Sequence, residues 1–187
     1  MPSQQQLSVL NDYVNLLEPI ELASKQISGQ SYVTSSLGIP LKKCLQYKLE
    51  SINVYTDLGL ELKLNLINSL SNRFSYLKNN KIILISTLMD CRFKNLHFSN
   101  DEALKAEELV KQELNQLSPL NQMQNQVNLF DEDDIWNYHD SLTKNTLSES
   151  NELTVYLSLP VKPRNVCPIK FWQENQNQFP KLTCTLF

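Results

Sequence analysis

Glycine is almost missing from this chain: Gly29, Gly38 and Gly59 are all there is in 187 residues. Turn-rich all-β folds and phosphate-wrapping loops use glycine for positive-φ turns and close backbone approach, so its scarcity favours helix. Histidine is limited to His97 and His139, and Cys44, Cys91, Cys167 and Cys184 lack the short pair spacing of a zinc site. The cysteines read as reduced, mostly buried thiols of an intracellular protein. No apolar run reaches the ~20 residues of a membrane span. Met1 to Gln6 has neither the basic nor the apolar region of a signal peptide. The chain is therefore expected to be soluble and to make no membrane contact. Lys and Arg form no run and the net charge is -3. That balance argues against the cationic face which sequence-independent nucleic-acid binding requires. A phosphate loop, a nucleophile elbow, a zinc-protease helix and a Rossmann glycine pattern are all missing.

What is present is enough apolar material, 41% of residues, to fill the core of one domain or two small ones. Leu7, Leu10, Val14 and Leu17 repeat at three and four, and Ile20, Ala23 and Ile27 continue the stripe. A first helix is expected from about Gln4 to Ile27, kinked at Pro19 and stopped at Ser28-Gly29. A second region, about Val33 to Ile52, carries Leu37, Leu41, Cys44, Leu45 and Leu49 at helical spacing and is interrupted by Pro40. A third runs from about Asp57 to Leu77 along Leu62, Leu66, Leu70, Phe74 and Leu77. Asn79-Asn80 marks a turn. Lys81 to Met89 is nearly all apolar; periodicity leaves strand and helix open, and its isoleucines favour strand.

Ser99-Asn100-Asp101-Glu102 is a capping box opening a helix to about Leu117, which Ser118-Pro119 ends. Residues 119 to 131 are rich in Asn and Gln and read as a linker. After a second polar stretch, Pro160, Pro163 and Pro168 space out an extended connection, and Pro168 suits the first turn of a closing helix. The closing run is Pro168-Ile169-Lys170-Phe171-Trp172, then Phe179-Pro180-Lys181-Leu182, a packing signature.

Four groupings could carry chemistry. Asp131, Glu132, Asp133 and Asp134 could hold a cation, but without calcium-loop spacing they read as a solvated helix start. Asp90, Arg92 and His97 could form an acid/base set; the plainer reading is the end of an apolar element, with Arg92 pairing with Asp90 or a distant carboxylate while Phe93 packs inward. Cys44 or Cys184 as nucleophile would need a base that no local motif supplies. Trp136 and Trp172 could stack on bases, but with no basic face around them they read as core or interface anchors.

Three stretches, in this order, resemble the C-terminal part of hAT-superfamily transposases and their domesticated relatives with BED-type zinc fingers. They are Leu16 to Gly29 with Tyr32, Ile39, Pro40 and Leu41; Leu84 to Lys94; and Tyr156-Leu157 followed by Pro168 to Trp172 and Phe179 to Leu182. In the second, Met89 and Cys91 depart from the family's Leu-Asp-Pro-Arg-Phe-Lys. The resemblance implies a mainly α fold: a helical remnant of the domain inserted in an RNase-H-like core over 1–118, a polar linker over 119–150, and an incomplete C-terminal dimerisation region over 151–187. It also implies that Lys81 to Met89 is helix. Two catalytic aspartates of the family would lie upstream, and its final glutamate beyond Phe187, so no catalytic, metal or cofactor residue is carried over. The expectation is a truncated, catalytically inactive fragment that associates with protein, itself or a related chain. Phe171, Trp172, Phe179 and Leu182 would be partly exposed anchors, with Trp136 secondary. The resemblance further implies a nuclear location. The alternatives are a subunit handling DNA weakly within a transposase complex, or a domesticated transcription regulator.

Overall fold

A computed structural model describes residues 2–28, 35–117 and 150–184. The described residues are mainly helical and contain no strand. Their packing groups into two compact units, Met1–Thr87 and Leu88–Phe187.

The first unit holds α1 (Gln4–Ser28), α2 (Gly38–Ser51) and α3 (Asp57–Arg73). A second capping box, unforeseen in the sequence, opens α1. The Ser3 amide donates to Gln6 Oε1 at 2.9 Å, and the Gln6 amide donates to Ser3 Oγ at 3.3 Å. The helix runs through Pro19, which lies on its buried side. Pro40 does not interrupt α2. It is the third residue of that helix, where a backbone N–H would have no intrahelical acceptor in any case. The third helix ends four residues before the expected Leu77, and a 3-10 turn over Ser75–Asn79 still delivers Leu77 to the core. Leu16, Leu49 and Leu70 form the centre, with Leu45, Ile52, Leu62 and Leu66 packed around them. Cys44, expected to face inward, is exposed.

The stripe that predicted α1 faces the other way. Leu7, Leu10, Val14 and Leu17 are 47–64% exposed, while Asp12, Leu16 and Pro19 are buried. At 100° per residue the two sets lie roughly 170° apart around the helix. Periodicity identifies residues that share a face; it does not say which face is covered.

The helix α4 (Lys81–Met89) gives seven residues to the first unit and two to the second. The strand preference of its isoleucines is overridden. Asn80 Oδ1 caps the first turn by accepting from the Ile83 amide at 3.2 Å, and Leu84 and Leu88 are fully buried one turn apart.

The second unit continues through a tight turn over residues 90–98 into α5 (Asn100–Leu117). The Ser99–Glu102 capping box forms as read: the Ser99 amide donates to Glu102 Oε2 at 2.8 Å and the Glu102 amide to Ser99 Oγ at 3.3 Å. Ala106, Val110 and Leu114 bury one face of α5. Among the described residues three short helices follow: α6 (Ser150–Ser158), α7 (Pro168–Glu174) and α8 (Pro180–Cys184). Pro168 occupies the first turn of α7 as the sequence implied. Packing groups α5 with α6 to α8.

Candidate functional site

The closing aromatic run builds the core of the second unit. Phe171, Trp172, Phe179 and Leu182 are all at most 6% exposed, so they are not the partly exposed anchors expected of them. They close on Tyr156, which α6 supplies. The Tyr156 and Trp172 ring centroids are 4.9 Å apart, and Phe171 and Phe179 stand at 6.2 and 6.1 Å from the Tyr156 ring. These tilted and edge-on pairings are the ones aromatic quadrupoles favour. Trp136 and the acidic run 131–134 lie outside the described residues.

Each polar atom of that core has a backbone partner. Trp172 Nε1 donates to the Met89 carbonyl at 2.9 Å, and the Tyr156 hydroxyl to the Leu88 carbonyl at 3.2 Å. Both acceptors are at the C-terminal end of α4, where helix carbonyls lack intrahelical partners. The Glu152 carboxylate in turn accepts the Lys181 and Leu182 amides, each at 3.1 Å, at the N-terminus of α8. Pro180 supplies no donor there, so one carboxylate serves the next two amides.

The turn Asp90-Cys91-Arg92-Phe93-Lys94 ties these elements together and does not present an acid/base set. Arg92 donates to both Asp90 oxygens, Nε to Oδ1 at 2.9 Å and an NH2 group to Oδ2 at 2.7 Å, with both side chains about 5% exposed or less. His97 stands edge-on to Phe93 with ring centroids 6.2 Å apart. Lys94 is 1% exposed and adopts φ 48°, the one non-glycine positive φ among the described residues. Its ammonium donates to the carbonyls of Tyr156 and Leu159, at 2.6 Å for Leu159, and lies 4.5 Å from the Tyr156 ring centroid. It thereby caps the C-terminus of α6, where a cation suits the helix dipole. Burial pushes the Lys94 ammonium down and the Tyr156 phenol up. The Cys91 thiol is pushed up to about 11, first by burial and then by the Asp90 carboxylate. A thiol held that high is protonated at neutral pH and is a poor nucleophile.

Sequence reading missed a second polar junction, in the first unit. Asp12 is fully buried, and its carboxylate accepts from the Thr56 hydroxyl at 2.7 Å, the Thr56 amide at 2.9 Å and the Tyr55 amide at 3.1 Å. Thr56 is the N-cap of α3 and accepts from the Gly59 amide at 3.0 Å. Asp12 therefore sits at the N-terminus of α3, where negative charge is favoured. The Thr56 hydroxyl chiefly holds its carboxyl below the usual range, with the Tyr55 and Thr56 amides adding to it against burial. The available signal was an aspartate between the apolar residues of the N-terminal half of α1, ahead of Glu18 and Glu21.

That junction fixes the face of α1 turned inward and so leaves Leu7, Leu10, Val14 and Leu17 outward. Their 3-4-3 spacing is that of the a and d positions of a coiled-coil seam. Lone exposed leucines are commonplace; four aligned along one helix form a contiguous apolar strip. Such a strip can bind another apolar helix and has no chemistry of its own.

No described helix is long and apolar enough to cross a membrane. Among the described residues no three metal-ligating side chains gather. No protein-family model, curated protein or solved structure gives a significant match to this chain.

Proposed function

We propose that the chain acts by association with a second copy of itself, as a non-catalytic relative of hAT-superfamily transposases. The observation that supports this most is the exposed Leu7, Leu10, Val14 and Leu17 seam on α1, opposite the buried Asp12, Leu16 and Pro19. A seam of this spacing is self-complementary, since each knob on one helix needs the hole its copy provides. The surface moves in consequence from the C-terminal aromatic run to α1, because Phe171, Trp172, Phe179 and Leu182 are spent on the chain's own core.

The non-catalytic part rests on the use of the ionisable groups. Asp90 and Arg92 face each other, Lys94 caps two carbonyls, and Cys91 is held protonated. Kinship with the transposase family, and the nuclear location that would follow from it, rest on the three ordered sequence stretches. Sedimentation velocity across a concentration series tests the association, with variants of the α1 seam as the deciding comparison.

A further inference from the structure

The C-terminal half of α1, one side of α2 and the end of α3 leave a cavity of about 420 Å³ between them. Ile20, Ile27, Leu41, Leu45, Leu66 and Leu70 supply its apolar lining. The volume falls within the ~300–1,000 Å³ of ordinary ligand pockets. An apolar wall offers water few hydrogen bonds.

Two further lining residues carry charge, and both are cationic: Lys42 from the first half of α2 and Arg73 from the last residue of α3. Among the described residues neither makes a hydrogen bond or ion pair, and no described lining residue is acidic. The Ser24 hydroxyl, also in the wall, is already given to the Ile20 carbonyl at 2.8 Å. An apolar chamber with two uncommitted cations matches a molecule that is apolar for most of its length and anionic at one end.

The geometry points to a binding site for a single-chain anionic amphiphile, of which a medium-length fatty acid is the simplest case. The alkyl tail lies along the leucine and isoleucine wall and replaces water that bonds poorly there. The head group meets Lys42 and Arg73. A cationic head would meet like charge, and a neutral head would gain from tail burial alone. The site is independent of the α1 seam, so the two readings can fail separately.

Calorimetric titration of the full chain with decanoate, decyl sulfate, decanol and decyltrimethylammonium, all below self-assembly concentrations, tests this. Decanoate should bind at one per chain and decanol about tenfold more weakly, since exposed ion pairs are individually modest. Decyltrimethylammonium should bind more weakly still. Decyl sulfate separates two sources of the head-group chemistry: equal affinity marks a general anion site, and preference for decanoate narrows the site to carboxylates. The K42A/R73A double variant should bring decanoate to the affinity of decanol and leave decanol unchanged. Leu45→Trp should fill the chamber and abolish binding; if it fails to fold, Ala23→Leu from the facing helix makes the same test. No saturable binding, affinity that ignores head-group charge, or decanoate binding unchanged in K42A/R73A would each overturn the assignment.

Discussion

A Cβ placed on Gly59 would lie 2.5 Å from Oδ2 of Asp12 and 2.8 Å from its Cβ. Gly59 is in the first turn of α3, and Asp12 is the buried carboxylate that receives the start of that helix. The absence of a side chain at one position thus lets a charged group reach the backbone at the other.

Gly59→Ala should reverse the usual helix preference. In an ordinary helix the change stabilises by ~1 kcal/mol. Here the new methyl must displace Asp12 from three donors, and overpacking of this kind costs about 1–3 kcal/mol. The urea midpoint of the first unit should fall; a rise would show that Asp12 moves aside freely.

Acid should weaken the same junction. A carboxylate held below its ordinary value contributes stability that is fully present above the unfolded pKa of about 3.9. That contribution is lost as pH falls through the lower folded value. Stability should therefore decline below about pH 4 more steeply in the wild type than in Asp12→Asn, which has no carboxylate to protonate. Parallel pH profiles from urea titrations would contradict this. At neutral pH Asp12→Asn should be the less stable, because its NH2 group would face amide donors.

The Lys94 ammonium should prove structural. Lys94→Met keeps the length of the side chain and takes the ammonium from both carbonyls; that of Tyr156 keeps the Leu159 amide at 3.2 Å, and that of half-buried Leu159 loses its donor, at about 1 kcal/mol or more. The aromatic core should loosen with it, read as a lower denaturant midpoint of the second unit. Lys94→Gly relieves the positive φ and still loses the cap, so it should remain less stable than wild type. Full stability in Lys94→Met would remove the capping role.

Thiol reactivity should sort by burial. Cys44 and Cys184 are exposed and should be modified quickly by a disulfide reagent at neutral pH. Cys91 is buried, with its thiol pushed up to about 11, and should react only at the rate of unfolding. Mass spectrometry of the modified chain assigns the sites; early labelling at Cys91 would contradict the arrangement of the 90–94 turn.

How far the sequence carried the structure depended on how local each cause was. The Ser99–Glu102 capping box, the turn at Asn79-Asn80 and the helix opened by Pro168 are set by chemistry within a few residues, and all three were legible. For Arg92 the sequence allowed Asp90 or a distant carboxylate, and the neighbour two residues away is the partner. The covered face of α1 was not legible, because it is decided by Asp12 meeting backbone donors 43 and 44 residues away. Lys94 shows the same limit. A lysine after a phenylalanine reads as a surface residue, and its burial depends on carbonyls 62 and 65 residues further along the chain. The Phe171-Trp172 and Phe179-Pro180 run was correctly read as a packing signature, but sequence could not say whether it packs within one chain or between two.

Self-association through the α1 seam is tested most directly by sedimentation velocity on the full chain at high micromolar concentration. The comparison is wild type against the L10E/V14E double variant, with helical circular dichroism as a control for folding. Self-association through α1 predicts a concentration-dependent dimer in the wild type. It also predicts a folded monomer in L10E/V14E, whose affinity falls at least tenfold when charge enters the seam. A wild-type chain that stays monomeric at that concentration, or a dimer that persists in L10E/V14E, would contradict the account.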